Sequence, residues 1–222
     1  ILIAYQLQQA GKQVVILEAE RIAGGQTQNT TAKITSQHGL LYSRLLEEQG
    51  EIAMRQYAQV NEQAIEEYRR MIAQQKIDCD FQTECAYLYS QKLDVLKKET
   101  EASRKAGLTA SLVTDLPIPM PAVCAVRLEG QAQFHPLKFL RALCEQLTIY
   151  EDTAVQRVEE HTLYTKRAKV TAEQIIFACH FPFVNFPGLY FAKMHQQRSY
   201  VLALQGVEWP YGMWIGADQA VY

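Results

Sequence analysis

The sequence predicts an α/β chain that joins a Rossmann-like nucleotide-binding part to a second, largely antiparallel α+β part. Three observations carry that prediction. The apolar run Val14-Val15-Ile16-Leu17 ends on the carboxylate Glu18, and a helix-like segment, Ile1 to Ala10, leads into it through the turn Gly11-Lys12. In a nucleotide-binding βαβ unit the second strand carries an acid at its carboxyl end, which accepts hydrogen bonds from a ribose hydroxyl. A long helical stretch then runs from Tyr42 to about Lys76. Beyond it the apolar period shifts towards two in several short runs, the mark of half-buried strands.

In chain order, Ile1, Leu2, Ala4, Tyr5 and Leu7 form the apolar face of the first helix, with Gly11 as its C-cap. Gln13 to Leu17 is continuously apolar after its first residue, as a parallel strand covered on both faces requires. Gly24 to Leu41 is a polar loop dense in Gln, Asn, Thr and Ser, with one cation, Lys33, and one imidazole, His38. Such a loop is a solvated turn or, beside Glu18, a wrapping for a diphosphate or the polar edge of a ring. In the helical stretch, Leu45, Leu46, Ile52, Tyr57, Val60, Ala64, Ile65, Tyr68, Met71 and Ile72 make a packing stripe, and Gly50 separates two helices.

Strands are predicted at Cys79 to Ser90, Thr109 to Val113 and Val123 to Leu128, with a helix from about Lys92 to Ala106 capped by Gly107 and a turn at Gly130. Pro117, Pro119 and Pro121 make the intervening segment an extended connection. A helix follows at Leu137 to Gln146. The last third returns to strands at Thr148-Ile149-Tyr150, Val155 to Glu159, Thr162 to Thr165 and Gln174 to Cys179. Tyr200 to Leu204 and Met213 to Ile215 are expected to be strands of an antiparallel sheet.

Composition narrows the function classes. With 222 residues the chain can bury a substantial core, and its 48% hydrophobic and 21% charged residues are those of a soluble globular protein. A net charge of -2 with no basic stretch argues against a nucleic-acid partner. No apolar run reaches membrane-spanning length, which argues against a membrane partner. The five cysteines, Cys79, Cys85, Cys124, Cys144 and Cys179, lack the paired spacing of a metal site, so no metal is expected. Free thiols in a reducing compartment point to a cytoplasmic location, and a Cys79–Cys85 disulfide would need a bend between them. The chain opens at Ile1 without an initiator Met or a Gly-rich turn and stops at Tyr222 without a cap, so truncation at both ends is expected.

The run Ala4-Tyr5-Gln6-Leu7-Gln8-Gln9-Ala10-Gly11-Lys12-Gln13-Val14-Val15-Ile16-Leu17-Glu18 resembles the first βαβ unit of FAD-dependent oxidoreductases of the D-amino-acid oxidase, glycine oxidase and sarcosine oxidase type. Gln133-Phe134-His135-Pro136-Leu137, Thr153-Ala154-Val155 and Ala172-Glu173-Gln174-Ile175-Ile176-Phe177-Ala178 resemble later segments of that family in order and spacing. Asn29 to Gly39 more narrowly resembles a bacterial subgroup whose members often carry a C-terminal Rieske iron–sulfur domain. No Rieske ligand pattern stands in this chain, so the resemblance puts any such partner domain beyond Tyr222.

The resemblance implies a Rossmann-like FAD/NAD(P)-binding domain at 1–78 and 145–187 and a substrate domain at 79–144 and 188–222. It implies FAD as cofactor and a small-molecule substrate, an amine or an amino-acid-like compound, that loses a hydride equivalent to the flavin. The alternative is an electron-transfer or binding module working with an iron–sulfur partner. Glu18 would hold the adenosine ribose and Val155 would offer its backbone to the adenine. Thr27, Thr31 and Lys33 would approach the pyrophosphate and flavin, the Lys33 cation steadying negative charge on the reduced ring.

Arg21 would lie near the diphosphate or adenine, although by its residue type alone it is a surface charge. His38 is a loop histidine or a neighbour of the flavin. Cys179-His180 stands where many relatives have a small pair. Arg198 and Tyr200, two apart on a predicted strand, would share a face as a carboxylate clamp does. No catalytic residue is assigned.

Overall fold

The structure is a computed structural model, and it describes residues 1–186 and 188–218. The chain divides into two compact units. One comprises Ile1–Asn29 and Leu140–Val201, and the other Thr30–Phe139 with the residues from Leu202 onward.

In the first unit, helix α1 (Leu2–Gln9) buries Ala4 and Tyr5. It closes as the sequence predicts: Gly11 sits at φ 78°, its N–H donates to Gln8 O, and Lys12 N–H donates to Leu7 O. This pair of bonds satisfies carbonyls that the helix end would otherwise orphan, and only glycine enters the left-handed region without strain. Strand β1 (Val15–Leu17) follows and pairs in parallel with β6 (Thr148–Tyr150), matching Ile16 to Ile149. Strands β7 (Val155–Glu159), β8 (Thr162–Thr165) and β9 (Lys169–Thr171) form an antiparallel meander. Its third strand was not foreseen.

The predicted strand at Gln174 to Cys179 is absent. The segment is irregular, no strand among the described residues pairs with it, and Ile176 and Phe177 are half exposed. An apolar run signals a demand for burial, but a strand also needs a ladder partner for its backbone groups. Tyr200 to Leu204 is likewise irregular, with Tyr200 87% exposed.

The second unit is built on a mixed sheet of order β10-β3-β5-β2, with β4 also paired to β5. Here β2 is Lys33–Ile34, β3 Gln82–Ser90, β4 Ala110–Val113, β5 Cys124–Gln133 and β10 Met213–Gly216. The short β2 and a 3-10 turn at Gln26–Asn29 interrupt what the sequence presented as one polar loop. All pairings are antiparallel except β10 with β3, which is parallel and so corrects the expected antiparallel arrangement. Gly130, expected as a turn, lies inside β5 at φ 73°. Two residues of β5 there oppose one of β3, between the pairs Glu84–Gln131 and Ala86–Leu128, so the glycine serves a bulge and the strand runs on.

One sheet face carries Ala86, Leu88, Val126, Leu128 and Met213 into a core with Met54, Ala58, Leu96 and Ala102. The last four come from α2 (Tyr42–Gln75) and α3 (Leu93–Lys105). Gly50 breaks α2 with φ 84° and ψ 172°, as expected. The break resets the helical phase, so Met54 and Ala58 face the core while Ile52 and Val60, assigned to the packing stripe, are 76% and 63% exposed. Helix α4 (Pro136–Cys144) begins with Phe139 packed against Tyr68 and Phe134 and ends with Leu143 buried. All five cysteines are free, and no described helix is long and apolar enough to cross a membrane.

Candidate functional site: a carboxylate at the strand end and two flanking loops

Glu18 leaves the carboxyl end of β1 held on three sides. Its N–H donates to Tyr150 O at 2.9 Å, its carbonyl accepts from Thr153 N at 2.8 Å, and its Oε1 accepts from Glu20 N at 2.9 Å. The backbone bonds continue the β1–β6 ladder past its last pair. The side-chain bond turns the carboxylate back over its own loop and fixes one oxygen. Among the described residues Oε2 has no hydrogen-bond partner.

Glu151 ends the neighbouring strand β6 in the same way, a signal that sequence reading passed over. Its two oxygens are taken: Oε1 accepts from Ile22 N at 2.8 Å, and Oε2 accepts from Arg21 Nη1 at 2.6 Å. These bonds, the Ile22 N–H first and the guanidinium second, hold the Glu151 carboxyl below the usual carboxylate range. Arg21 also lies 3.8 Å from Asp152. Of two acids at adjacent strand ends, Glu18 is thus the one with a free oxygen, and a ribose diol needs just such an acceptor.

The loop beyond is closed by local bonds. Gly24 N donates to Arg21 O, Gln28 Nε2 to Gly24 O, and Asn29 Nδ2 to Gly25 O. Thr27 lies half-buried in the 3-10 turn, and no hydrogen bond of its side chain is formed among the described residues. Val155 opens β7 opposite Thr165 and is partly buried. Glu18, Arg21, Thr27 and Val155 therefore all belong to the first unit. The groups present fit the adenosine end of a dinucleotide, on the strength of the oriented Glu18 carboxylate.

Thr31 and Lys33 belong to the second unit. Thr31 is exposed, and Lys33 extends its Nζ to Trp214 O at 3.5 Å. Burial alone lowers the Lys33 pKa, since no carboxylate accompanies it. The Trp214 ring is stacked on Tyr87 with centroids 4.1 Å apart. Arg198 and Tyr200 lie in an irregular segment and share no strand face, so the clamp read from their spacing is not formed. Cys179 and His180 are exposed.

The later part of the polar stretch, which the sequence offers as a cofactor wrapping with His38 as a candidate, is held by side-chain bonds within the second unit. Ser36 N donates to Gln131 Oε1 at 2.7 Å, Ser36 Oγ to Glu62 Oε1 at 2.6 Å, and Tyr42 OH to Ser36 O at 2.7 Å. Gln37 Nε2 reaches Val126 O, and Gln37 Oε1 is buried without a partner among the described residues. His38 then emerges into solvent with Nδ1 2.8 Å from Tyr57 OH, the two rings edge to face. Sequence could not pair them, because Tyr57 reads as one more member of a helical apolar stripe.

Residues 1–222 match the family model described as FAD dependent oxidoreductase, DAO. The chain is 38% identical over 229 residues to YhfW of Bacillus subtilis (strain 168), described as a Rieske 2Fe-2S iron-sulfur protein, with 97% of this chain and 45% of that protein covered. Among solved structures, L-proline dehydrogenase from P. horikoshii shares the fold with a TM-score of 0.60 at 16% identity, over 76% of this chain and 46% of that one. Glycine oxidase from Geobacillus kaustophilus does so with a TM-score of 0.54 at 18% identity, over 77% and 50%. The chain thus spans about half the length of the relatives it matches.

Proposed function

The chain belongs to the DAO family of FAD-dependent oxidoreductases, and from that premise we propose that it forms part of an enzyme removing a hydride equivalent from an amine or amino-acid-like substrate. FAD is the family's cofactor, and when bound it supplies the hydride-accepting ring, while the protein supplies orientation and electrostatics. The observation that carries the reading is the Glu18 carboxylate at the end of β1, one oxygen fixed by Glu20 N and the other free.

Glu18 holds the adenosine ribose through Oε2, and Val155 borders the adenine with its backbone. Arg21 keeps Glu151 and the Ile22 backbone in place, so that its part in FAD binding is to shape the loop. Thr27, Thr31 and Lys33 approach the pyrophosphate and flavin. The partly desolvated Lys33 cation favours negative charge placed near it, because a charge that has lost solvation gains more from a counter-charge. Proline and glycine, named for two fold neighbours, support substrates with an amine on the reacting carbon.

The test is the full-length protein purified with FAD. Anaerobic addition of L-proline or glycine should bleach the flavin bands, and a protein that takes up no FAD contradicts the reading. Glu18→Ala should weaken FAD binding about 10- to 100-fold, the worth of a hydrogen bond to a charged acceptor. A change below threefold would remove Glu18 from the site.

The likeness to YhfW favours a second reading of the electron path. In it, electrons taken by the flavin pass to a Rieske-type iron–sulfur domain outside residues 1–222. Reduction of a 2Fe-2S centre in step with amine-driven flavin bleaching supports that path, and flavin reoxidation by oxygen with the centre untouched counts against it.

A further inference from the structure

We propose that Leu202 to Leu204 is a strap that closes onto the free edge of β10 as an antiparallel strand, with Leu204 opposite Met213 and Leu202 opposite Ile215. Strap and strand both belong to the second unit. In the structure the strap is open.

The edge it closes on is unfinished. β10 is the outermost strand of its sheet, and among the described residues only β3 pairs with it. Ala217 N–H donates to Tyr89 O at 2.8 Å, so the odd-numbered residues here bond to β3. By the alternation of a strand, Trp214 and Gly216 turn their N–H and C=O groups to the other side. Trp214 O accordingly has a side chain as its partner, Lys33 Nζ at a long 3.5 Å. The core is also unfinished at this rim. Met213 is buried, whereas Ile215 and Ala217, on the same side of the strand, are only partly so.

The strap carries what the rim lacks. Leu202 and Leu204 alternate along the chain, and they are 86% and 75% exposed. The backbone of Leu202, Ala203 and Leu204 makes no backbone hydrogen bond to any described residue. An apolar alternation with a vacant ladder is a strand without its partner. The connection from Gln205 to Gly212 is short and ends in glycines at φ 73° (Gly206) and φ 100° (Gly212). Gly212 is the fixed end: a Cβ there would stand 2.6 Å from the Tyr87 ring, and Trp214 Nε1 donates to Tyr211 O at 3.3 Å. Gly206 is the free end, with open space around it.

The register follows from which face is buried. Residues opposite one another in a ladder point to the same face, so the proposed pairing sends both leucines to the core side with Met213 and Ile215. A slip of one residue would turn them to the Trp214 side. Ala203 and Trp214 then face each other as the hydrogen-bonded pair, each N–H donating to the other's carbonyl. Burying two leucines gains about what ordering a few residues costs, so the open and closed forms exchange. Closure also removes an edge on which a strand of another molecule could be added.

The experiment uses the full-length protein. Leu202→Cys with Ile215→Cys places two thiols at a non-hydrogen-bonded pair, where the Cα separation suits a disulfide. Mild oxidation in dilute solution should link them within one chain, as peptide mass spectrometry reads despite the five native cysteines. Ala203→Cys with Ile215→Cys, whose side chains point to opposite faces, should link at least about 10-fold more slowly. Equal rates in the two variants overturn the register, and links formed only between chains would make a second copy the occupant instead.

Hydrogen exchange on the wild type needs no new thiol. After correction for sequence, the Ala203 amide should exchange about 3-fold or more slowly than those of Leu202 and Leu204, which point away from β10. Ala203→Pro, in a segment with no ladder to lose in the open form, removes the donor and should quicken exchange at the Trp214 amide by a similar factor. Free-chain rates throughout 202–204, or a Trp214 amide indifferent to Ala203→Pro, overturn the strap.

Discussion

Two loops follow one another in this chain and are held in opposite ways. The segment from Ala19 to Asn29 is closed mostly by bonds to near neighbours in sequence, with Glu151 and the Asp152 N–H, which donates to Glu20 O, as distant anchors. The segment from Thr35 to Leu41 is pinned by the buried side chains of Glu99 and Gln131 and by the partly buried Glu62, all from farther along the sequence. Solvent-exposed local bonds open at small free-energy cost, and buried long-range ones open only with the surrounding core. The first loop can therefore rearrange more readily than the second, which suits the cofactor role proposed for it. The second is set before any ligand arrives.

The sharpest way to break that contrast is to remove Glu99, which is 1% exposed. Its Oε1 accepts from Leu41 N and Tyr42 N, and its Oε2 from Ser43 N and Ser43 Oγ. One carboxylate on α3 therefore satisfies the amides that open α2, which no side chain of α2 caps. Glu99→Ala leaves those donors buried and unpaired and should cost roughly 3–5 kcal/mol, as breaking a buried charged network does. A urea midpoint unchanged from wild type would contradict the account, as would slow hydrogen exchange at residues 41–43. Glu99→Gln, which keeps an acceptor, should lose less.

A smaller effect is expected at Gln131, fully buried and bonded to Ser36 N through Oε1. Gln131→Leu strands that amide and leaves Glu62 Oε1, which accepts from Gln131 Nε2 at 3.2 Å, with only its bond from Ser36 Oγ. The cost should be about 1–3 kcal/mol. Exchange at the Ser36 amide should quicken, while exchange in the Ala19–Asn29 loop stays as in wild type. If both loops loosen together, the two are not independent and the contrast fails.

The same contrast explains what was legible beforehand. Features written in a few consecutive residues came through: the Gly11 cap, the acid after β1, the break at Gly50, the end of α3 at Gly107. Gly107 sits at φ 95° with its N–H on Arg104 O, as a helix stop requires. Features that depend on a distant partner did not. The apolar run at Ile175 to Ala178 has strand composition but no ladder partner among the described residues, and Gly130 reads as a turn until β3 shows the chain continuing. Glu99 reads as one more charge on an amphipathic helix, and only the fold shows that it turns inward. At the first loop, the strand-end position of Glu18 was visible because its signal is a strand and its end. Glu151 carries the same signal and was missed, because what matters at that site is which acid is already occupied.

The smallest predicted effect separates those two acids. Arg21→Ala removes the guanidinium from Glu151 but leaves the Ile22 N–H, the larger of the two influences that lower its pKa. The Glu151 pKa should therefore return only part of the way to the ordinary carboxylate value, which an NMR pH titration reads directly. The sign is fixed by the depressed folded-state pKa: what the pair adds to stability is present above the unfolded-chain value and fades as pH falls through the folded one. The Arg21 side chain is 72% exposed and that of Glu151 32%, so solvent reaches and screens the pair and the unfolding midpoint near neutral pH should not move measurably. FAD binding is the more telling readout. With Arg21 committed to Glu151, Arg21→Ala should weaken FAD less than Glu18→Ala does, since the Glu18 carboxylate, proposed above as the ribose acceptor, survives and only the loop around it relaxes. A loss equal to or larger than that of Glu18→Ala would mean that the guanidinium leaves Glu151 for the diphosphate, and that the first loop reorganises further on binding than its free form shows.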